Sequence, residues 1–135
     1  MFFRYNWLFI VWGLIILVLM LIPGRDVPKV EVWIPIDKIV HAGVFLIFSL
    51  LMIFGFSRQI SFLMLKKNAI LFTFLFSILY GITTEFIQRL ATDRSFDIWD
   101  IVANIVGGIL GILIFEWSGK KIPFIEKYLE KYLFN

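Results

Sequence analysis

Nine polar residues of this 135-residue chain stand at spacings that could do chemistry, and they fall in two short stretches. The first, "PIDKIVHA", places Asp37 and His41 four apart, on one face of a helix, with Lys38 beside them. The second, "TTEFIQRLATDRSFDIWDIVAN", carries Glu85, Gln88, Arg94, Asp97, Asp100 and Asn104 between two apolar runs. Imidazole and carboxylate groups at helical spacing can transfer protons, hold a hard cation or accept hydrogen bonds from hydroxyls. If ionised, Asp37, Glu85, Asp97 and Asp100 carry four negative charges against two positive charges from Lys38 and Arg94. That excess favours a shared proton, a hard cation or a hydroxyl-rich ligand over a bare phosphate. One imidazole among carboxylates is a poor zinc site. Magnesium, manganese or no metal suits the set better, and neither a metal ligand nor a cofactor is assigned.

Each of these residues also has a purely structural reading. Asp37 could be the N-cap of a helix, and Asp97 with Asp100 a capping pair on another. His41 could be a hydrogen-bonded core histidine, Asn104 a tie between helices, and Arg89, Asp93 and Arg94 a solvated turn. Glu85 resists such a reading. It stands near the C-terminal end of an apolar segment, where the helix dipole disfavours an anion. A carboxylate at depth in a membrane costs roughly 2–3 kcal/mol, falling toward the interface. It must be paired, protonated or bound to something, with His41, Lys38 and Arg94 the expected partners.

The elements that must position these groups follow from the solvent of the chain. Sixteen Phe, 17% charged residues and a mean hydropathy of +0.92 exclude an ordinary soluble domain of this length. Segments 7–22, 39–56, 69–84 and 101–117 are each uncharged over about the length needed to cross a ~30 Å hydrocarbon core. They predict four α-helices, since nothing alternates as a barrel strand would. The fold class is therefore all-α, a four-helix transmembrane bundle over residues 1–117. The first segment follows Arg4 like a signal peptide, but "LMLIPGR" lacks a small-residue cleavage site, so it is read as an anchor.

Residues 118–135 are read as a tail whose Ile125, Tyr128, Leu129, Tyr132 and Leu133 share one face, a C-terminal amphipathic interfacial helix. The segment 23–38, with three prolines, is expected to be extended, and 57–68 to lie in the membrane interface. Placing both termini and 57–68 on one side gives that side eight Lys and Arg, against five on the other. The positive-inside rule then puts both termini in the cytoplasm. Trp7 and Trp117 would mark the inner interface, Trp33 and Trp99 the outer one. Seven of ten acidic residues fall outside, so the polar residues face outward. The absence of Cys excludes disulfides and thiolate metal sites, and a net charge of +3 points to anionic lipid headgroups, not nucleic acid.

Two small-residue stripes say which faces point inward. Ser77, Gly81 and Glu85 recur every four residues, and Asp97, Asp100, Asn104, Gly107 or Gly108, and Gly111 share another face. Small residues let helices approach closely in lipid. His41, Glu85, Gln88, Asp97, Asp100 and Asn104 should therefore converge at the outer end of the bundle.

"DKIVHAGVFLIFSLL" followed by "EFIQRLATDRSFDIWDIVANIVGG" resembles the VanZ-like family of small bacterial membrane proteins. The likeness runs over about residues 35–115, as D-K-x-x-H, then E-x-x-Q, R, D and N-x-x-G. The family's polar signature falls on Asp37, Lys38, His41, Glu85, Gln88, Arg94, Asp97, Asn104 and Gly107. A proline common before the loop arginine is absent from "LATDR", so that turn differs. The family is named for a protein linked to resistance to teicoplanin, which acts at the outer cell surface. The resemblance implies a multi-pass protein of the bacterial cytoplasmic membrane, in contact with membrane lipids, and supplies no reaction.

Three functions fit these residues. One is an enzyme on a lipid-linked cell-envelope substrate, with His41 or Glu85 as general acid or base. Asp97 and Asp100 would then orient it or hold a cation, while Arg94 and Lys38 contact an anionic headgroup. The second is a non-catalytic protein that binds a lipid or glycolipid headgroup and affects glycopeptide susceptibility. The third is a proton-coupled transporter, although the last three apolar segments are nearly uncharged in their inner halves, so no full relay is visible.

Overall fold

The computed structural model describes residues 2–23 and 36–119. These form α1 (Phe2–Met20), α2 (Ile36–Arg58), α3 (Leu63–Lys67), α4 (Ala69–Ala91) and α5 (Ile98–Gly119). All but α3 are long and apolar enough to span a bilayer, so the chain is a four-helix transmembrane bundle. The expected interfacial tail helix, the 24–35 stretch and Trp33 lie outside the described residues. In 57–68 the chain forms the short α3. Gln59 clasps the turn before it: its Nε2 donates to Phe62 O, and its Oε1 accepts from Phe62 N–H, both at 2.8 Å.

Helices α2, α4 and α5 each overrun the segment expected for them, because charge marks where apolar sequence stops, not where a helix must. α4 continues from Thr84 through Glu85 and Gln88 to Ala91, and ends at Thr92 with φ −131° and ψ 176°. Glutamate, glutamine and arginine are good helix formers. Glu85 is thus more than a turn from the helix end.

The outward faces are apolar, and the interior mixes large apolar side chains such as Ile16, Phe45 and Ile53 with small and polar ones. Leu14, Val18, Leu79 and Leu113 are exposed, whereas Asn6, Ser49, Thr73 and Ser77 are buried. The closest approach is between α2 and α5. A Cβ at Gly107 would collide with Ala42 O, and one at Gly111 with Leu46 O. Gly108 faces Ser77 and Ser49, whose hydroxyls are hydrogen-bonded at 3.2 Å. Around α1 the packing is aromatic instead. Trp12 Nε1 donates to Val44 O at 2.9 Å, Phe9 meets Phe56 at 5.5 Å between ring centroids, and Tyr80 stacks on Phe48 at 4.9 Å.

Candidate functional site

Lys38 stands at the centre of the polar end. It is in the first turn of α2, and its Nζ lies 2.6 Å from Asp97 Oδ2, 2.6 Å from Asp100 Oδ1 and 3.2 Å from Asp37 Oδ2. One oxygen from each of these three aspartates falls within 4.8 Å of the others. The ammonium therefore occupies the position a hard divalent cation would take. Lys38 is held among carboxylates and does not present a free charge to a ligand, which differs from the headgroup-contacting role expected of it.

Asp97 does two things at once. It precedes the first residue of α5, and its Oδ1 accepts from Trp99 N–H at 2.8 Å, as an N-cap does. Its other oxygen holds Lys38. The Lys38 ammonium, together with the Trp99 N–H, keeps the Asp97 carboxyl below the usual carboxylate range. Asp100, three residues on, turns to Lys38 instead of closing a capping box. Asp37 lies inside the first turn of α2, so it is not the N-cap, though its charge suits the positive end of that helix.

His41 lies one turn below Lys38 and is buried. Its Nδ1 is 3.1 Å from Asn104 Oδ1, and its Nε2 is 3.8 Å from Asp100 Oδ2. Both ring nitrogens face oxygens of α5. Asn104 reaches the imidazole because Gly107, one turn further on, lets α5 lie against the α2 backbone at Ala42. The tie-between-helices reading of Asn104 therefore holds, but its Nδ2 remains buried without a hydrogen-bond partner among the described residues.

Glu85 is 1% exposed. Its Oε1 accepts from the backbone N–H of Asp97 at 2.9 Å, so it sits beside the positive end of α5, opposing the unfavourable dipole of its own helix. Of the cations expected to pair it, Lys38 and His41 are engaged elsewhere. Its Oε2 is buried and has no hydrogen-bond partner among the described residues. Gln88, on the same face, turns toward α1: its Nε2 donates to Met20 O at 3.2 Å, while its Oε1 is buried and has no partner among the described residues. Arg94 is half-buried in the loop, where its N–H donates to Thr92 Oγ1 at 3.2 Å. The bonds that join Lys38, His41, Asp37, Asp97, Asp100 and Asn104 do not involve its guanidinium.

Lys38, Asp37, Asp97, Asp100, His41 and Asn104 thus form one connected group, with Glu85 joined to it through the Asp97 backbone and Gln88 a further turn along α4. Two contributors were not foreseen. Thr92 closes α4 by donating to Gln88 O at 2.7 Å and receives Arg94 N–H, so it shapes the loop. Met20 offers the backbone carbonyl that Gln88 needs. A threonine just past a helical run is a recognisable stop signal for the first, whereas nothing local points to the second.

Comparison with known proteins adds two findings. Residues 3–119 match the family model described as VanZ/LLP1. Over 79 residues the chain is 33% identical to an uncharacterised protein of Schizosaccharomyces pombe, covering 58% of this chain and 45% of the relative. The chain therefore corresponds to less than half the length of that relative. No solved structure matches it.

Proposed function

This chain belongs to the VanZ-like family, and on that premise we propose that the polar end of the bundle recognises the hydroxyl- or amide-rich headgroup of a lipid-linked envelope ligand. One observation carries the reading. Glu85 Oε2, Gln88 Oε1 and Asn104 Nδ2 are buried polar atoms without partners among the described residues, two acceptors and a donor along one face of α4 and its neighbour. Such atoms cost about 1–3 kcal/mol each when left unsatisfied, so a group that meets them binds with a corresponding gain. A sugar, glycerol or amide headgroup supplies the required donors and acceptor. A bare phosphate supplies no donor when fully ionised, and Lys38 is already neutralised.

Binding is favoured over catalysis by the surroundings of His41. A general base needs a nitrogen within reach of the proton it abstracts, and both nitrogens of His41 face protein oxygens. A proton path across the bundle is disfavoured too. Among the described buried residues, His41, Glu85 and Asp100 are the ionisable ones, and all stand at the same end. Orientation with both termini in the bacterial cytoplasm would place this end at the outer surface. Any effect on teicoplanin would be secondary to headgroup binding.

The test is native mass spectrometry of the full chain with its co-purified lipids. Glu85→Gln should lose a glycolipid or glycerolipid adduct while keeping the wild-type melting temperature in detergent, Asn104→Leu should lose the adduct and melt lower because its Oδ1 no longer holds His41, and His41→Gln should retain the adduct. An unchanged lipid complement in both variants would refute headgroup recognition. Melting well below wild type in Glu85→Gln would assign the residue to structure.

A further inference from the structure

The end of the bundle opposite the polar site holds a second feature. A recess of about 530 Å³ opens there between the end of α2, the α3–α4 junction and the last turn of α5. Its polar lining is Ser57, Lys66, Lys67, Asn68 and Glu116. The apolar groove between α1 and α4, lined by Phe72 and Phe76, lies on another face of α4 and holds no charged residue.

The chain around the recess explains which of its groups are free. Asn68 interrupts the helix between α3 and α4 at φ −116° and ψ 37°, and Lys66 and Lys67 come to the rim beside the start of α4. The two neutral side chains are used within the protein: Ser57 Oγ donates to Ile53 O at 2.7 Å, and Asn68 Nδ2 donates to Met64 O at 3.1 Å. Three charges remain. Lys66 and Lys67 are exposed and Glu116 is half-buried, yet neither lysine pairs with it or with another carboxylate among the described residues. Glu116 also stands in the last turn of α5, where the helix dipole disfavours an anion and no basic residue of that turn offsets it. Two cations and an anion thus face one space without meeting.

From this rim the recess continues along α4 over Ile70 and Leu71, 47% and 53% exposed, to Phe74. Charged at the rim and apolar further into the membrane, it matches the sequence of groups in a phospholipid: headgroup, glycerol, then acyl chain. A lipid whose headgroup is anionic only would satisfy the lysines and leave Glu116 unpaired. A phosphate joined by two carbons to an ammonium answers both signs. A primary ammonium offers three N–H donors to the carboxylate, whereas a quaternary one offers none.

We propose that the recess binds a phospholipid whose headgroup carries a primary ammonium, with its phosphate on Lys66 and Lys67 and its ammonium on Glu116. The first part of an acyl chain lies along Ile70, Leu71 and Phe74. The polar end takes no part in this site.

The probes are phosphatidylethanolamine, its fully N-methylated counterpart phosphatidylcholine, and phosphatidylglycerol. The full chain is reconstituted in vesicles of the three in equal parts, extracted in mild detergent and examined by native mass spectrometry. Wild type should retain phosphatidylethanolamine above its share and above both other lipids. Glu116→Gln should fold, since it removes a charge opposed by the dipole, and should lose about fivefold in preference for phosphatidylethanolamine over phosphatidylglycerol. Lys66→Gln and Lys67→Gln should each lower retention of both lipids by about fivefold, the expectation for one basic residue at a lipid surface, and leave their ratio unchanged. Equal retention of the three lipids by wild type would overturn the proposal. A lead for phosphatidylglycerol would do so too, because the recess would then be a basic patch to which Glu116 contributes nothing. An unchanged preference in folded Glu116→Gln would have the same force. If that variant does not fold, a wild-type series from phosphatidylethanolamine through its mono- and dimethyl forms to phosphatidylcholine decides. Retention should fall as N–H donors are lost, and a flat series would overturn the proposal. Greater retention of all three lipids after deletion of 120–135 would reassign the recess to the chain's own tail.

Discussion

The α2–α5 seam and the α1–α4 face use side chains of opposite size, and they hold the bundle together differently. Along the seam, Gly107 and Gly111 lie against backbone oxygens of Ala42 and Leu46, so two helices touch main chain to main chain. Across the other face, rings of Phe9, Phe56, Phe72 and Phe76 keep the helices apart and leave a groove. The polar site depends on the first arrangement, because hydrogen bonds of 2.6–3.1 Å between α2 and α5 tolerate little drift. An apolar groove has no such requirement. Aromatic rings make many weak contacts that can rearrange without losing one decisive bond.

The contrast is broken most severely at Gly107. Gly107→Leu would drive a side chain into the Ala42 carbonyl, and backbone cannot give way as a side chain can. The expected loss is about 3 kcal/mol or more, read as failure to accumulate a folded bundle or as unfolding at much lower denaturant. A groove-filling substitution of similar bulk, Leu14→Trp, should leave stability close to wild type.

Lys38→Met comes next. It withdraws the ammonium from three carboxylates and should destabilise the protein by about 2–3 kcal/mol, since hydrogen bonds to charged groups are lost and the anions then repel. Added magnesium should restore part of the melting temperature in this variant and little in wild type, because the three oxygens are already clustered. The pattern would show that Lys38 stands in for a cation.

A smaller effect comes from Asp97. Its carboxyl is held below the usual range in the folded protein, so its contribution is fully present above the unfolded value of about 4 and is lost as pH falls through the lower folded value. The difference in stability between wild type and Asp97→Asn should be flat at neutral pH and shrink only in acid. Salt should weaken it as well, because the carboxylate is partly exposed.

Gly43 provides the smallest change and the control. A Cβ there meets nothing within 4 Å. Gly43→Ala should be neutral or stabilising by up to about 1 kcal/mol through helix propensity alone. If it harmed the protein as Gly107→Leu does, close packing would not be what separates the two glycines.

The spans and the seam were legible because their signals are local. Uncharged runs long enough to cross a bilayer, and small residues every four positions, report directly on what surrounds a helix. The convergence of His41, Asp97, Asp100 and Asn104 followed from those stripes. The partner of Glu85 did not. Spacing sets Glu85 against the dipole of its own helix and offers nearby cations, whereas the hydrogen bond it accepts comes from the start of α5, a neighbour that periodicity does not reveal. Lys38 was read as facing a ligand for a related reason. Which carboxylates reach it depends on the axial register of α2 against α5, set by the Gly107–Ala42 contact. Gln88 likewise shares a face with Glu85 but turns to Met20, because α1 lies on that side.

The order in which these bonds can form during synthesis follows from their separation along the chain. Glu85 finds the Asp97 N–H only 12 residues later, within the same helical hairpin. Lys38 and His41 must wait 59 to 63 residues, until α5 enters the membrane, for Asp97, Asp100 and Asn104. A nascent chain with three helices inserted therefore holds its lysine with Asp37 as the one described counter-ion, and its histidine without Asn104. Arrival of the last helix supplies both at once. The polar groups of the candidate site therefore gain their partners on α5 only when the last helix joins the bundle, so a chain truncated before α5 should turn over faster than the full chain.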